Sequence, residues 1–164
     1  MTNSPGLDAL PVGSLAPDFS LRDQNNEVVS LSRFAGQKAV LLVFYPFAFT
    51  GICTGELGQI GKHLDTFVSD EVQVLAVSID SSYSHKIFAQ RDELDFPLLS
   101  DFWPHGAVAQ AYGVFNDEVG VANRGTFLID RHGIIRFSEV NEIGFGRDPQ
   151  RWLDAISELG APVG

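Results

Sequence analysis

The sequence predicts an α/β fold, with a central sheet of mixed strand direction flanked by helices. Three observations predict it. Two continuous apolar runs, Ala39 to Tyr45 and Val72 to Ile79, read as strands buried on both faces, the mark of parallel strands covered by helices. Between them Cys53, Leu57, Ile60, Leu64 and Phe67 recur at alternating spacings of four and three, which is one face of a helix. Further on, Thr126 to Ile129 and Ile134 to Phe137 flank Asp130-Arg131-His132-Gly133, turn chemistry that makes a hairpin.

The remaining elements can be read in chain order. Residues 1–16 are rich in Gly, Pro and Ser and are expected as a poorly ordered lead-in, above all over 1–11. Phe19 to Arg22 and Val28 to Leu31 form a hairpin around Asp23-Gln24-Asn25-Asn26. Gly55, Gly58 and Gly61 lower the propensity of the first helix, so packing must hold it. Ser84 to Leu94 reads as a second helix with Ile87, Phe88 and Leu94 in the core, Phe96 to Leu99 as a short strand, and Ala107 to Tyr112 as a short helix. The last helix has Asp148 as N-cap, Pro149 at its first position and Gly160 as stop, with Trp152, Ala155, Ile156 and Leu159 on its buried face. This order matches a thioredoxin-like arrangement with an N-terminal hairpin added, and residues 1–164 are expected as one domain.

Composition narrows the function. Eleven Lys and Arg against 21 Asp and Glu give a formal charge of -10, so nucleic acid and anionic membrane are poor partners. No basic n-region with an apolar run opens the chain, and no stretch has the length of a membrane span. With Cys53 as the single cysteine, an internal disulfide is excluded and a reducing, cytoplasmic setting is expected. His63, His85, His105 and His132 are scattered without ligand spacing, so neither metal nor cofactor is expected.

Chemistry is concentrated in Tyr45-Pro46-Phe47-Ala48-Phe49-Thr50-Gly51-Ile52-Cys53-Thr54-Gly55-Glu56. This stretch joins the carboxyl end of a buried strand to a helix, where ligands of α/β sheets bind. A cysteine in a helix's first turn faces unpaired amides and the positive end of the dipole, which favour the nucleophilic thiolate. Thr50 can direct its hydroxyl at that sulfur or at a substrate oxygen. Pro46 offers no N–H and closes one side, while Phe47 and Phe49 can exclude water. Each residue also has a blander reading. A lone buried cysteine is usually a small core hydrophobe, and Cys53 continues the apolar stripe of its helix. Thr50 alone is equally well a helix-entry cap, Glu56 a favourable first-turn acid, and Phe102 and Trp103 either core or an oligomer contact.

Pro46, Thr50 and Cys53 reproduce the Pro-x-x-x-Thr-x-x-Cys motif, and on it the chain resembles the peroxiredoxins, with Glu56 where many members carry an acid. The resemblance extends from about Val12 to Leu159, through Ala16-Pro17-Asp18-Phe19, Ser100-Asp101, Tyr112-Gly113-Val114 and Arg124-Gly125-Thr126-Phe127-Leu128-Ile129-Asp130. Ala48 to Cys53 and Asp101 to Gly106 are most similar to the actinobacterial one-cysteine branch. Arg124 is the fourth residue that the resemblance transfers. It starts a strand expected to run antiparallel to the two buried ones, which brings it to the sheet end that carries Cys53. Taken alone, Arg124 would be a solvated surface charge.

The resemblance implies a thiol-dependent peroxidase. Cys53 attacks a hydroperoxide, Thr50, Arg124 and the amides near Ile52 hold its oxygens, and a cysteine sulfenic acid results. Glu56 stands where Cys-x-x-Cys oxidoreductases have their second cysteine, so this chain cannot exchange dithiols, and it lacks a resolving cysteine. An external thiol must complete the cycle, which in this branch implies mycothiol with a mycoredoxin. Alkyl or fatty-acid hydroperoxides and peroxynitrite are the implied oxidants, and a homodimer the implied assembly. A peroxide sensor or holdase on the same fold, or an inert scaffold, are the alternatives.

Overall fold

The computed structural model describes residues 9–62, 71–144 and 146–160. A hairpin of β1 (Ser20–Arg22) and β2 (Val28–Ser30) leads through a 3-10 turn (Leu31–Phe34) into β3 (Ala39–Phe44) and α1 (Gly51–Lys62). Then come β4 (Val72–Ser78), α2 (Ser82–Asp92), β5 (Leu98–Ser100) and α3 (Ala107–Ala111). A two-stranded hairpin, β6 (Phe115–Asn116) with β7 (Val121–Ala122), precedes β8 (Arg124–Ile129), β9 (Ile135–Asn141) and α4 (Pro149–Gly160). The seven-stranded sheet has the order β2-β1-β5-β4-β3-β8-β9.

β3 lies inside the sheet between β4 and β8, and every one of its residues is buried. It pairs in parallel with β4, from Ala39 opposite Val72 to Phe44 opposite Val77, and antiparallel with β8, Val43 lying opposite Thr126. Alternation of side chains splits the run between two cores. Leu41, Val43 and Tyr45 join Cys53, Leu57, Ile60, Phe88 and Trp152 on the face covered by α1, α2 and α4. Val40, Leu42 and Phe44 join Phe19, Tyr112 and Phe127 on the other. There Tyr112 packs its ring 5.5 Å from Phe44 and 5.2 Å from Phe127, and donates its hydroxyl to the Pro17 carbonyl at 2.7 Å.

Several sequence expectations need correction. Residues 9–16 are not a loose lead-in: Leu10 N–H bonds the Tyr112 carbonyl, Ala16 N–H bonds Gly133, and Leu15 bridges Ile134. Residues 1–8 lie outside the described residues, as do His63, Leu64 and Phe67. Ile87 is 58% exposed rather than core, because α2 turns His85, Phe88 and Ala89 inward. Phe102 and Trp103 are exposed, which excludes the core reading for both. Asp148 does begin the last helix, its carboxylate accepting from Gln150 N–H at 3.0 Å.

Candidate active site

The site is built where β3 runs out. Tyr45 N–H still joins the ladder through the Val77 carbonyl, but the buried Pro46 has no hydrogen to donate and the chain leaves the sheet. Ala48 N–H is taken by the Asp80 carboxylate at 2.8 Å. Phe49 then adopts a φ of 68°, a left-handed conformation uncommon for a bulky residue. Its ring is seated 5.1 Å from that of Phe88, with the Arg91 guanidinium 4.8 Å from its centre. The first helical bond runs from Thr54 N–H to the Thr50 carbonyl at 2.8 Å, which makes Thr50 the N-cap. Cys53 is thus the third residue of α1, in the turn whose amides precede that first bond, and its side chain is fully buried.

Across the sheet, β8 delivers Arg124 to the same end. Arg124 Nη1 donates to Cys53 Sγ at 3.3 Å and to Glu56 Oε1 at 2.7 Å, while Nε bonds the Ile143 carbonyl at 2.8 Å. Strand direction is the cause: β8 is antiparallel to β3, so its first residue lies beside the last of β3. Glu56 is one helical turn beyond Cys53 and points at the same guanidinium.

A second arginine completes the arrangement. Arg147 surrounds Glu56: its N–H and Nε donate to Oε2 at 2.7 and 3.1 Å, and Nη2 to Oε1 at 2.9 Å. Its Nη1 reaches the carbonyls of Phe44 and Gly125 at 2.8 and 3.1 Å, which locks the helix, the sheet and the segment before α4 together. Burial opposes ionisation of Glu56, yet the hydrogen bonds and charge of Arg147, aided by the charge of Arg124, outweigh it and hold the carboxyl below its ordinary range. Sequence reasoning missed Arg147. It stands in an irregular segment 91 positions from its partner, and no periodicity or spacing marks it.

The other candidates take lesser places. Thr50 Oγ1 donates to the Phe47 carbonyl at 3.0 Å, turned towards its own turn rather than to the sulfur. Phe47, Phe49 and Ile52 rim the approach to α1 and are only partly shielded, at 40, 41 and 38% exposure. Among the described residues no cluster of His, Cys, Asp and Glu has the makings of a metal site.

A mixed sheet with helices on both faces, and a buried thiol at the helix entry after an interior strand, defines a thioredoxin-like protein. Residues 12–138 match the AhpC/TSA family, and the chain belongs to this peroxiredoxin family of thiol peroxidases. It is 57% identical to alkyl hydroperoxide reductase E of Mycobacterium tuberculosis over 93% of this chain and 99% of that protein. The chloroplastic 2-Cys peroxiredoxin BAS1 of Spinacia oleracea is 37% identical over 94% of this chain and 63% of its own length. Among solved structures, the reduced 2-Cys peroxiredoxin of Plasmodium vivax superposes with a TM-score of 0.82 at 32% identity, covering 91% of this chain and 81% of that one. AhpC of Mycobacterium tuberculosis superposes with a TM-score of 0.79 at 28% identity, covering 93% and 99%. With Cys53 as its single cysteine, the chain is of the one-cysteine kind. Among the described residues no helix is long and apolar enough to cross a membrane.

Proposed function

We propose that Cys53 is the peroxide-reducing nucleophile and that Arg124, Thr50, Pro46 and the first-turn amides of α1 form its substrate pocket. The observation that carries this reading is the 3.3 Å contact of Arg124 Nη1 with Cys53 Sγ inside a buried site. The thiolate attacks the terminal peroxide oxygen, an S–O bond forms as the O–O bond breaks, and the leaving oxygen takes a proton to become water or an alcohol. Arg124 donates to the peroxide as charge shifts onto that leaving oxygen, joined by the Ile52 and Cys53 amides, while the Thr50 oxygen, its own hydrogen given to the Phe47 carbonyl, accepts the hydroperoxide O–H. Pro46 and Phe49 limit water, and Glu56 and Arg147 fix the Arg124 guanidinium in place.

Cys53 ends this step as a sulfenic acid. An external thiol then attacks the sulfur, expelling water and leaving a mixed disulfide, and a second thiol frees Cys53. Mycothiol with a mycoredoxin-like partner fits the resemblance to alkyl hydroperoxide reductase E, as do organic hydroperoxides and peroxynitrite as oxidants. A cytoplasmic homodimer, with the exposed Phe102 and Trp103 in its contact, completes the proposal. Mass spectrometry after one equivalent of peroxide tests it: Cys53 gains one oxygen, and subsequent thiol restores the free thiol. An unmodified Cys53 refutes it.

A further inference from the structure

Behind the active-site turn lies a buried polar cluster that takes no direct part in peroxide reduction. Ser78 at the end of β4 donates its hydroxyl to Asp80 Oδ2 at 2.6 Å. His85 of α2, fully buried, places Nε2 2.7 Å from the Ser78 oxygen and 2.9 Å from the Tyr45 hydroxyl. Because the one Ser78 hydrogen goes to the carboxylate, Nε2–H is the donor to Ser78 Oγ. The main chain of Asp80 is held as well, its carbonyl accepting from Ser100 Oγ at 2.7 Å. A chain of hydrogen bonds therefore runs from His85 through Ser78 to Asp80 and ends on Ala48 N–H.

Ala48 is a consequential place for that chain to end. It directly precedes Phe49, whose positive φ persists only if its surroundings hold it. Phe49 in turn precedes Thr50, the N-cap of the helix that carries Cys53. We propose that Asp80, held by Ser78 and His85, is a positioning residue for the peroxidase reaction: its carboxylate clamps the Ala48 amide and thereby sets the left-handed Phe49 turn that aims the first turn of α1 at the peroxide. Phe88 and Arg91 clamp the Phe49 ring from the same helix as His85, so Ala48 is held by Asp80 just before α2 and Phe49 by α2 itself.

This proposal rests on Cys53 being the peroxide-reducing nucleophile, and the test separates the two. Single-turnover oxidation of Cys53 by hydrogen peroxide is measured beside alkylation of the same thiol by iodoacetamide, which needs no aligned donors for two oxygens. Asp80→Ala, which removes the acceptor of the Ala48 amide, slows oxidation about tenfold through misalignment, with alkylation held within about twofold. Ser78→Ala keeps the carboxylate but strips its hydroxyl donor and the link to His85. It slows oxidation about threefold, again without slowing alkylation, and decides the matter if Asp80→Ala does not fold. Unchanged oxidation, or an equal loss in both reactions, overturns the role of Asp80. Failure of the wild-type protein to react with peroxide instead overturns the reading beneath it.

Discussion

Arg124 Nη1 lies 3.3 Å from Cys53 Sγ, although 71 positions separate the two residues. The same nitrogen is anchored by Glu56 at 2.7 Å, so the guanidinium is held against the sulfur by a carboxylate and does not depend on the sulfur for its place. A donor fixed before substrate arrives needs no reorganisation during the reaction.

Arg124→Ala is expected to slow oxidation of Cys53 about 100-fold, the usual cost of removing one such donor. Arg124→Lys restores the charge but not the planar fork that serves Cys53, Glu56 and the Ile143 carbonyl together, so only part of the rate returns. Stopped-flow oxidation of the three proteins checks this. Equal rates would place Arg124 outside the site.

Cys53→Ser is expected to abolish peroxidase turnover while leaving the fold intact, since the chain has no other cysteine. The exchange changes volume little, although it sets a hydroxyl among Leu57 and Ile60 in the core. Circular dichroism reports the fold and a coupled peroxide assay the turnover. Any measurable turnover by the serine protein removes Cys53 from the mechanism.

Arg124 was within reach of the sequence for the same reason that Arg147 was not. Strand direction alone brings the start of β8 beside the end of β3, and the turn at Asp130, whose Oδ1 accepts from His132 and Ile134 N–H, marks β8 as the first strand of a hairpin with β9. Arg147 reaches Glu56 from an irregular segment, where neither period nor turn chemistry constrains a side chain. The burial of α2 was misread because hydropathy ranks Ile87 above His85. His85 is inside because Ser78 and Tyr45 satisfy its Nε2. The two-residue strands β6 and β7 are too short to show an alternation at all.

Glu56→Ala is expected to destabilise the fold strongly, because it leaves Arg124 and Arg147 buried without their shared carboxylate. Breaking such a pair costs about 3–5 kcal/mol, a fall in Tm on the order of 10 °C. The lowered pKa of Glu56 fixes the sign with pH. Its contribution is fully present above the ordinary carboxylate range and is lost as the pH falls through the lower folded value. A melting series at acid pH on wild type and variant tests both points, and an unchanged Tm would show that the triad adds nothing.

His85 gives a second pH signature in a different window. Burial, opposed by the charge of Asp80, lowers its pKa from 6.5 to about 4. Between those values the unfolded chain binds a proton that the folded chain refuses, so stability falls as the pH is lowered. The expected loss is about 1 kcal/mol over the unit from pH 6 to pH 5. Urea titrations at the two pH values measure it. His85→Gln should flatten the slope whatever it does to the absolute stability, and a slope that survives in the variant would assign it to other groups.

The fate of Cys53 under excess peroxide is set by its solitude and its burial. Treated with peroxide alone, the chain is expected to stop at the sulfenic acid, since no second cysteine exists to form an internal disulfide. Further peroxide then drives Cys53 to sulfinic and sulfonic acids, which ordinary thiols do not reverse. A low-molecular-weight thiol added before the excess should trap a mixed disulfide and protect the residue. The rival outcome is a disulfide between the Cys53 residues of two chains. Full burial of the side chain, with Arg124 against the sulfur and Leu57 and Ile60 on the same helix face, opposes it. Non-reducing electrophoresis separates the two outcomes. Stoichiometric dimer formed by peroxide without added thiol would mean that the first turn of α1 opens far enough for two sulfurs to meet, and that the protein resolves its own sulfenic acid by pairing.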